Sequence, residues 1–418
     1  MKSSLKILFF VAIVDVLGFG VLIPLIPYMG ERFDASPEVI TAILGSYSLC
    51  QFVAAPFWGR MSDRHGRRAV LMSSLCGACV SYAILAFAHG LGLLLVSRML
   101  AGFMAGNLAA AFAYASDVSA PAERAHSMGL IGAAIGVGFM VGIPVGGAIS
   151  GNDAATANFV RPALVSVVLS LLAVLLVKYK LPESRRPEER SRRHERGPSP
   201  LRLLRERASL RSIAGAALLV TCSYGILESI FVIWAFGRFG VGPRTVGLAL
   251  FGVSLLTVLM QGGFVRQLAP LLGEAVLGSL GIASYALGLF IVAFAGRSVT
   301  LVGIGLALAG LGMGGFTPCA SALASRQSRG ADRGAVMGTY QSSTSLARVI
   351  GPFVAGYLYE LAGPNSPFWI GALITLPAIW LLLRLRRSAL DLEPAEAAEP
   401  VAAATESSPS GRSTLPGQ

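Results

Sequence analysis

Four ionisable side chains stand where their neighbours are almost all apolar: Asp15, Arg98, Glu228 and Arg348. A charge is costly to hold in hydrocarbon, so such groups are candidates for chemistry rather than for solubility. Two carboxylates in that setting can take up and release protons, because desolvation favours the neutral form. At a rise of about 1.5 Å per residue, Asp15 lies about 15 Å into its apolar run, near the middle of a bilayer. Glu228 lies deeper in its own run. The two are expected to face one central cavity and to exchange protons, or a proton for a cationic compound. Arg98 is a candidate for holding a carboxylate ionised, and Arg348 for pairing across the helices. Tyr224 and Phe231 share a face with Glu228 at i−4 and i+3, and Phe19 shares one with Asp15. With the polar Asn107 and Gln341, these aromatics form the expected cargo contacts, since ligand cavities are mostly apolar with a few polar groups.

Other chemistry finds no support. The histidines, His65, His89, His126 and His194, fall in or beside loops, so no metal cluster is expected. No Gly-x-x-x-x-Gly-Lys-[Ser/Thr] occurs, so neither ATP-driven work nor a bound cofactor is expected. Gly310-Leu311-Gly312-Met313-Gly314-Gly315 imitates a dinucleotide fingerprint but sits inside an apolar run with no preceding strand, and reads as helix packing. Without a clustered set of catalytic residues, an enzyme is not expected.

The elements that must position these residues are membrane helices. Of the 418 residues 54% are hydrophobic and 13% charged, about half the charge of an ordinary soluble chain. A span needs roughly 20 apolar residues. Twelve candidates fit: 5–28, 38–58, 69–88, 91–117, 128–149 and 160–179, then 211–236, 245–265, 275–295, 299–324, 335–359 and 368–385. The first is too long for a cleavable signal and contains Asp15, Pro24 and Pro27, so it reads as a retained helix. Most Lys and Arg residues fall in alternate loops, the centre and the two ends, which puts both termini in the cytoplasm. The net charge of +12 therefore follows topology rather than nucleic-acid binding. Cys76 and Cys79 have redox spacing but lie in an apolar run, where small residues serve helix packing.

The expected organisation is a six-helix bundle over 1–180, a basic cytoplasmic linker over 181–207, a second bundle over 208–388 and a disordered tail over 389–418. The linker is too charged to insert and is expected to lie on anionic lipid headgroups. The two halves repeat each other. Arg32-Phe33-x-x-x-Pro37 follows the first span and Arg238-Phe239-x-x-x-Pro243 the seventh. Glu123-Arg124, Met128-Gly129, Gly142 and Gly147 match Asp332-Arg333, Met337-Gly338, Gly351 and Gly356 at a constant offset of 209. Six helices duplicated to twelve around a midplane site is a transporter architecture.

Between the second and third spans lies Gly59-Arg60-Met61-Ser62-Asp63-Arg64-His65-Gly66-Arg67-Arg68. Its glycines suit a tight turn, and its one carboxylate among four arginines suits charge-assisted bonds that break and re-form. Gly59, Asp63, Arg64, Gly66, Arg67 and Arg68 are the expected latch, joined by Asp117 through a salt bridge to Arg60 or Arg64. The segment resembles the signature loop of the major facilitator superfamily, Gly-x-Leu-x-Asp-Arg-x-Gly-Arg-Arg, with Met61 in place of leucine. Three more segments resemble the drug–proton antiporter branch of that superfamily, which contains the tetracycline efflux proteins. They are Asp15-x-x-Gly18-Phe19-Gly20-x-x-x-Pro24-x-x-Pro27, Arg98-x-x-x-Gly102-x-x-x-Gly106, and Gly132-x-x-x-Gly136-x-Gly138-x-x-x-Gly142-Ile143-Pro144-Val145-Gly146-Gly147.

The resemblance covers nearly the whole chain apart from linker and tail. It implies an all-α membrane protein of twelve helices in two pseudo-symmetric six-helix bundles. It also implies a coupling role for Arg98, and export for a chain carrying Gly138, Gly142, Pro144, Gly146 and Gly147. In the family pattern proline follows glycine directly, whereas here Ile143 intervenes. Glycines four apart let another helix approach, and a proline within a helix bends it. The expectation is a monomeric, proton-coupled antiporter of the bacterial inner membrane that exports amphipathic drug-like small molecules, possible tetracycline-type cargo included. The alternative is an exporter of a sugar or other metabolite with the same fold.

Overall fold

The computed structural model describes residues 2–119, 124–153, 156–184, 199–328 and 332–390. Most of the linker and the tail beyond Leu390 fall outside the described residues. The helices of the first half are α1 (Lys2–Gly20), α2 (Ile26–Arg32), α3 (Pro37–His65), α4 (Arg67–Ala86), α5 (Leu91–Met104), α6 (Asn107–Asp117), α7 (Arg124–Ser150) and α8 (Val160–Lys180). A short α9 (Pro200–Glu206) precedes α10 (Ala208–Phe239) and α11 (Pro243–Leu259). A π turn (Met260–Phe264) joins α11 to α12 (Val265–Leu272). The last helices are α13 (Glu274–Phe294), α14 (Val299–Arg326), α15 (Arg333–Ala362) and α16 (Ser366–Leu390).

Among the described residues nine helices are long and apolar enough to cross a membrane, and the exceptions are instructive. The first span is broken into α1 and α2 by a turn at 21–25, where Pro24 offers no amide and i+3 bonds such as Leu22 N to Phe19 O, 3.1 Å, take over. The fourth breaks between α5 and α6 around Gly106, a position where a Cβ would overlap the Trp58 ring. The eleventh, α15, is unbroken but carries too many polar residues to score as apolar. Together these make twelve spans in two six-helix bundles.

Glycines decide how the helices pack. On α7, a Cβ at Gly138, Gly142 or Gly146 would meet the backbone oxygen of Ile13, Leu17 or Val21, so three glycines four apart ride over three carbonyls four apart on the first span. The second bundle repeats the crossing: Gly142 approaches Leu17 and Gly20, and Gly351 approaches Cys222 and Gly225. Gly310 and Gly314 of α14 face Val253 and Thr257 of α11, while Gly312 faces Gly281 of α13. The fingerprint-like glycine run is therefore a two-sided packing surface.

The bundles meet along two symmetric seams on the face away from the chain ends. In one, Gly147 of α7 sits against Pro243 and Arg244 at the start of α11, and Arg244 N donates to Gly151 O at 3.3 Å. In the other, Gly356 of α15 sits against Pro37, Glu38 and Thr41 at the start of α3, and Gly45 faces the Phe353 ring. Between them Tyr28 Oη donates to Val241 O at 2.7 Å. The residues that betrayed the duplication thus meet across it.

Toward the chain ends the seams part. Gly147, Gly136, Gly132 and Gly129 follow one face of α7 at about 100° per residue. A Cβ on Gly147 would meet Pro243 O at 2.5 Å and one on Gly136 would meet Val258 at 3.7 Å, whereas at Gly132 and Gly129 nothing lies within 4 Å. On α15, Gly356 is tight and Gly338 is open in the same way. A cleft therefore runs between the bundles and widens toward the face bearing the chain ends.

Candidate functional site

Asp15 and Glu228 occupy different places. Superposing the Gly20–Gly142 and Gly225–Gly351 crossings sets Asp15 five residues before its crossing and Glu228 three after. They are therefore separated by about 12 Å along the helix axes. Asp15 is 9% exposed and lines a small apolar gap inside the first bundle with Leu8, Val11, Ala12, Leu71, Leu75 and Ala111. Glu228 is exposed although every residue from Gly225 to Ala235 around it is buried. An exposed carboxylate within a buried stretch of a central helix faces the cleft. The two carboxylates thus stand in different surroundings, Asp15 within its own bundle and Glu228 on the cleft.

Tyr47 connects them. It is the single tyrosine of the second span, between Ser46 and Ser48, and lies within electrostatic reach of Asp15, Arg98, Arg348 and Glu228. Its ring stacks on Phe19 at 4.9 Å, and Phe19 also meets Phe139 edge-on. Gly102 lets α5 approach the Tyr47 backbone, which gives that glycine a local reason. Arg98 is 1% exposed, close to Tyr47 and Tyr82, and among the described residues its Nη1 and Nη2 have no hydrogen-bond partner. It is an interior guanidinium with unused donors, not one reaching to a lipid headgroup.

On the second bundle, Tyr224 is half-buried and near both Glu228 and Arg348. Gln341 is exposed and continues along α15 with Ser345 and Arg348 at i+4 and i+7. Phe231 is placed elsewhere: 3% exposed, with its ring 6.2 Å from Trp234, it belongs to the core beside the seams. Asn107 opens α6, and its side chain lies outside the described residues. Pro144 lies within an unbroken α7, where it withholds the amide that would bond the Met140 carbonyl.

The signature loop is ordered by Arg67. Helix α3 runs on to His65, so Gly59 is helical and only Gly66, with φ 98°, makes the turn. Arg67 Nη1 donates to Asp63 Oδ1 and to Ser62 Oγ, both at 2.9 Å, and Nε donates to Asp117 Oδ2 at 3.1 Å. Asp117 therefore pairs with Arg67 rather than with Arg60 or Arg64. The reason is placement: Arg67 is buried at the start of α4 beside the end of α6, whereas Arg60 turns back to Pro56 O. Arg68 Nη2 donates to Lys178 O. Sequence reasoning missed Glu183, whose carboxylate accepts from the Arg67 and Arg68 amides at 2.9 and 3.3 Å and so caps α4. An acid just after the sixth span was the only signal. These contacts tie α3, α4, α6 and the end of α8 within one bundle.

At the end of α2, past the apolar run 5–28, Glu31 sits at the closed face, where burial pushes its carboxyl up to about 7. Tyr359 of α15 lies within its electrostatic reach.

Comparison with known proteins agrees with this architecture. The family model described as Major Facilitator Superfamily matches residues 8–303 and 217–414. The tetracycline resistance protein, class C, of Escherichia coli is 32% identical over 90% of this chain and 96% of its own length. Human major facilitator superfamily domain-containing protein 10 is 29% identical over 94% of this chain and 95% of its own. The crystal structure of that human protein, an organic anion transporter, superposes with a TM-score of 0.70 at 25% identity, covering 91% of this chain and 99% of that one. With matching folds, signature loop and duplicated halves, the chain belongs to the major facilitator superfamily and is a multi-pass membrane transporter.

Proposed function

We propose that this transporter is a proton-coupled antiporter of the bacterial cytoplasmic membrane, with both termini in the cytoplasm, that exports amphipathic drug-like molecules. The observation that carries the reading is Glu228, a carboxylate open to the cleft between bundles that part toward the face of the chain ends. With that face cytoplasmic, the conformation is inward-open and cargo enters beside Glu228. Likeness to the tetracycline resistance proteins supports drug-like cargo.

In the proposed cycle the bundles, 1–180 and 208–388, rock about the cleft while the 181–207 linker and the 389–418 tail stay in the cytoplasm. A cationic group on the cargo competes with a proton for Glu228. Proton entry from outside releases the cargo, and return to the inward state delivers the proton. Asp15, Tyr47 and Arg98 pass or stabilise charge behind the cleft. Tyr224, Gln341 and the Phe19–Tyr47 stack contact cargo. The Arg67 cluster keeps the cytoplasmic ends of one bundle rigid, so that it moves as a body. One chain contains every part of this cycle, consistent with a monomer surrounded by lipid.

The reading is tested with a pH-sensitive dye in inside-out vesicles. Drug-like cations should release protons from a preset gradient, and Glu228→Gln should remove that release. Release unaltered by Glu228→Gln would rule the mechanism out.

A further inference from the structure

The second and eighth spans are equivalents in the duplication, and they differ by one residue. Each opens on a proline, Pro37 or Pro243, and each ends at a glycine with positive φ, Gly66 at 98° or Gly273 at 79°. Between those marks α3 has 29 residues, whereas the run from Pro243 to Leu272 has 30. The extra residue is taken up in the π turn Met260–Phe264, where Val265 N donates to Met260 O, five residues back instead of four. Such a turn is a place where a helix bends.

The chain is held firmly before that turn and loosely after it. Thr257 Oγ1 donates to Gly310 O at 3.0 Å, and a Cβ on Gly314 would meet Met260 Cβ at 2.7 Å, so α11 is seated on α14. A Cβ on Gly262 or Gly263 would meet nothing within 4 Å, no residue of α12 is buried, and Leu271 is 79% exposed. The second span is fastened at the same place. Trp58 is buried there and donates from Nε1 to Phe103 O. Asp63, three residues before its glycine turn, holds Arg67 at 2.9 Å. Three residues before Gly273 stands Pro270, which offers no such clasp. The fastening is missing where the additional residue is present.

The antiparallel seam between α7 and α11 gives such a segment a destination. A Cβ on Gly247 would lie 3.3 Å from Gly147 Cα, and eleven residues on in each helix Gly136 lies beside Val258. Four residues further Gly132 falls opposite Gly262, where the helices have already parted. Glycines on both sides of a gap let two helix backbones approach closely. We propose that the π turn is a hinge on which α12 swings toward α7, seating Gly262 on Gly132 and closing the cytoplasmic end of the cleft. This rests on the reading that the cleft closes at that face during transport. It adds a segment that moves within the second bundle rather than with it.

The test uses the full chain in lipid nanodiscs, its five native cysteines replaced by alanine and spin labels carried on introduced ones. Distances are read by double electron–electron resonance between pH 5 and pH 8, with and without a cationic dye. His65→Cys with Arg211→Cys reports the two bundles, and Leu271→Cys with Arg211→Cys reports α12 against its own bundle. Leu271 lies about 13 Å along the helix from Gly262, so a bend of about 20° moves it about 4 Å. Where the first distance shifts, the second is expected to shift by about that amount. A first distance that shifts while the second stays constant would overturn the hinge and leave antiport intact. Constancy of both under every condition would overturn the hinge together with the reading of the cleft on which it rests.

Deletion of Gly263 gives a second readout, because it leaves the eighth span with the 29 residues on which α3 forms an uninterrupted helix. Dye binding should stay within about twofold, while dye-dependent proton release from inside-out vesicles falls about tenfold or more. Gly263→Ala keeps the residue count and should keep the greater part of the release. Release at the parental rate after the deletion would overturn the hinge. The label distances decide the matter even if the shortened chain fails to fold.

Discussion

Asp15 and Glu228 look alike in sequence, each a lone carboxylate in a pore-forming span, and the structure separates them. Asp15 is shut among apolar side chains of its own bundle, and Glu228 stands open in the cleft beside a guanidinium. A group that cargo can touch is suited to competition between cargo and proton. A group that cargo cannot touch is suited to sensing or storing charge. Equivalent helices of a duplicated fold thus hold their carboxylates in unequal surroundings.

The sharpest way to break this contrast is cargo affinity. Glu228→Gln should raise the half-saturation concentration of a cationic dye about tenfold, while Asp15→Asn should leave it within about twofold, as read by dye binding to the purified chain. Equal effects would put both groups in one site. Chemical access gives a second view: a water-soluble carbodiimide should modify Glu228 at least about fivefold faster than Asp15, as read by mass spectrometry, because a group 9% exposed in an apolar gap is screened from the reagent.

The same contrast between tight and open regions can be sharpened with glycines. Gly146→Ala would drive a methyl group into the Val21 carbonyl and should cost about 1–3 kcal/mol in thermal stability. Gly132→Ala meets nothing within 4 Å and should stay within about 0.5 kcal/mol. A smaller effect is expected at the α4 cap: Glu183→Gln should cost about 0.3–1 kcal/mol through weaker binding of the Arg67 and Arg68 amides, seen as a lower melting temperature.

A pH effect is expected at the closed face. Burial raises Glu31 to about 7, and opening that face returns its carboxyl to water and to the ordinary range near 4.5. The raised value means that protonation favours the closed face. That contribution is complete below the ordinary value and is lost as pH rises through about 7. Distance measurements between labels at Asp34 and Gly363 should show more opening at pH 8 than at pH 5, with Glu31→Gln flattening the difference. An unaltered pH response in that variant would assign the effect elsewhere.

What could be read from the sequence follows from what repeats and what is periodic. The twelve apolar runs, the offset of 209 and the signature loop are written in residue spacing, so the fold and the pairing of Gly147 with Gly356 were legible. Faces of a single helix were legible too, as with Tyr224 and Glu228. Neighbours across helices were not. Tyr47 stands near four charged groups because four other spans converge on it, and nothing in 38–58 alone reports that convergence. Phe231 shared a face with Glu228 by spacing but points into the core beside Trp234. Asp117 found Arg67 because α3 continues as a helix through Gly59, which the glycine count of the loop concealed.

The central claim is that the open carboxylate, not the enclosed one, is where cargo and proton compete. Proton release from inside-out vesicles, followed at increasing concentrations of one cationic dye, tests it most directly in the parent, Glu228→Gln and Asp15→Asn chains. The account predicts that Glu228→Gln abolishes dye-dependent release at every concentration. It predicts that Asp15→Asn lowers the maximal rate at an unaltered half-saturation. Dye-dependent release that survives Glu228→Gln, or a half-saturation that moves with Asp15→Asn, would contradict it.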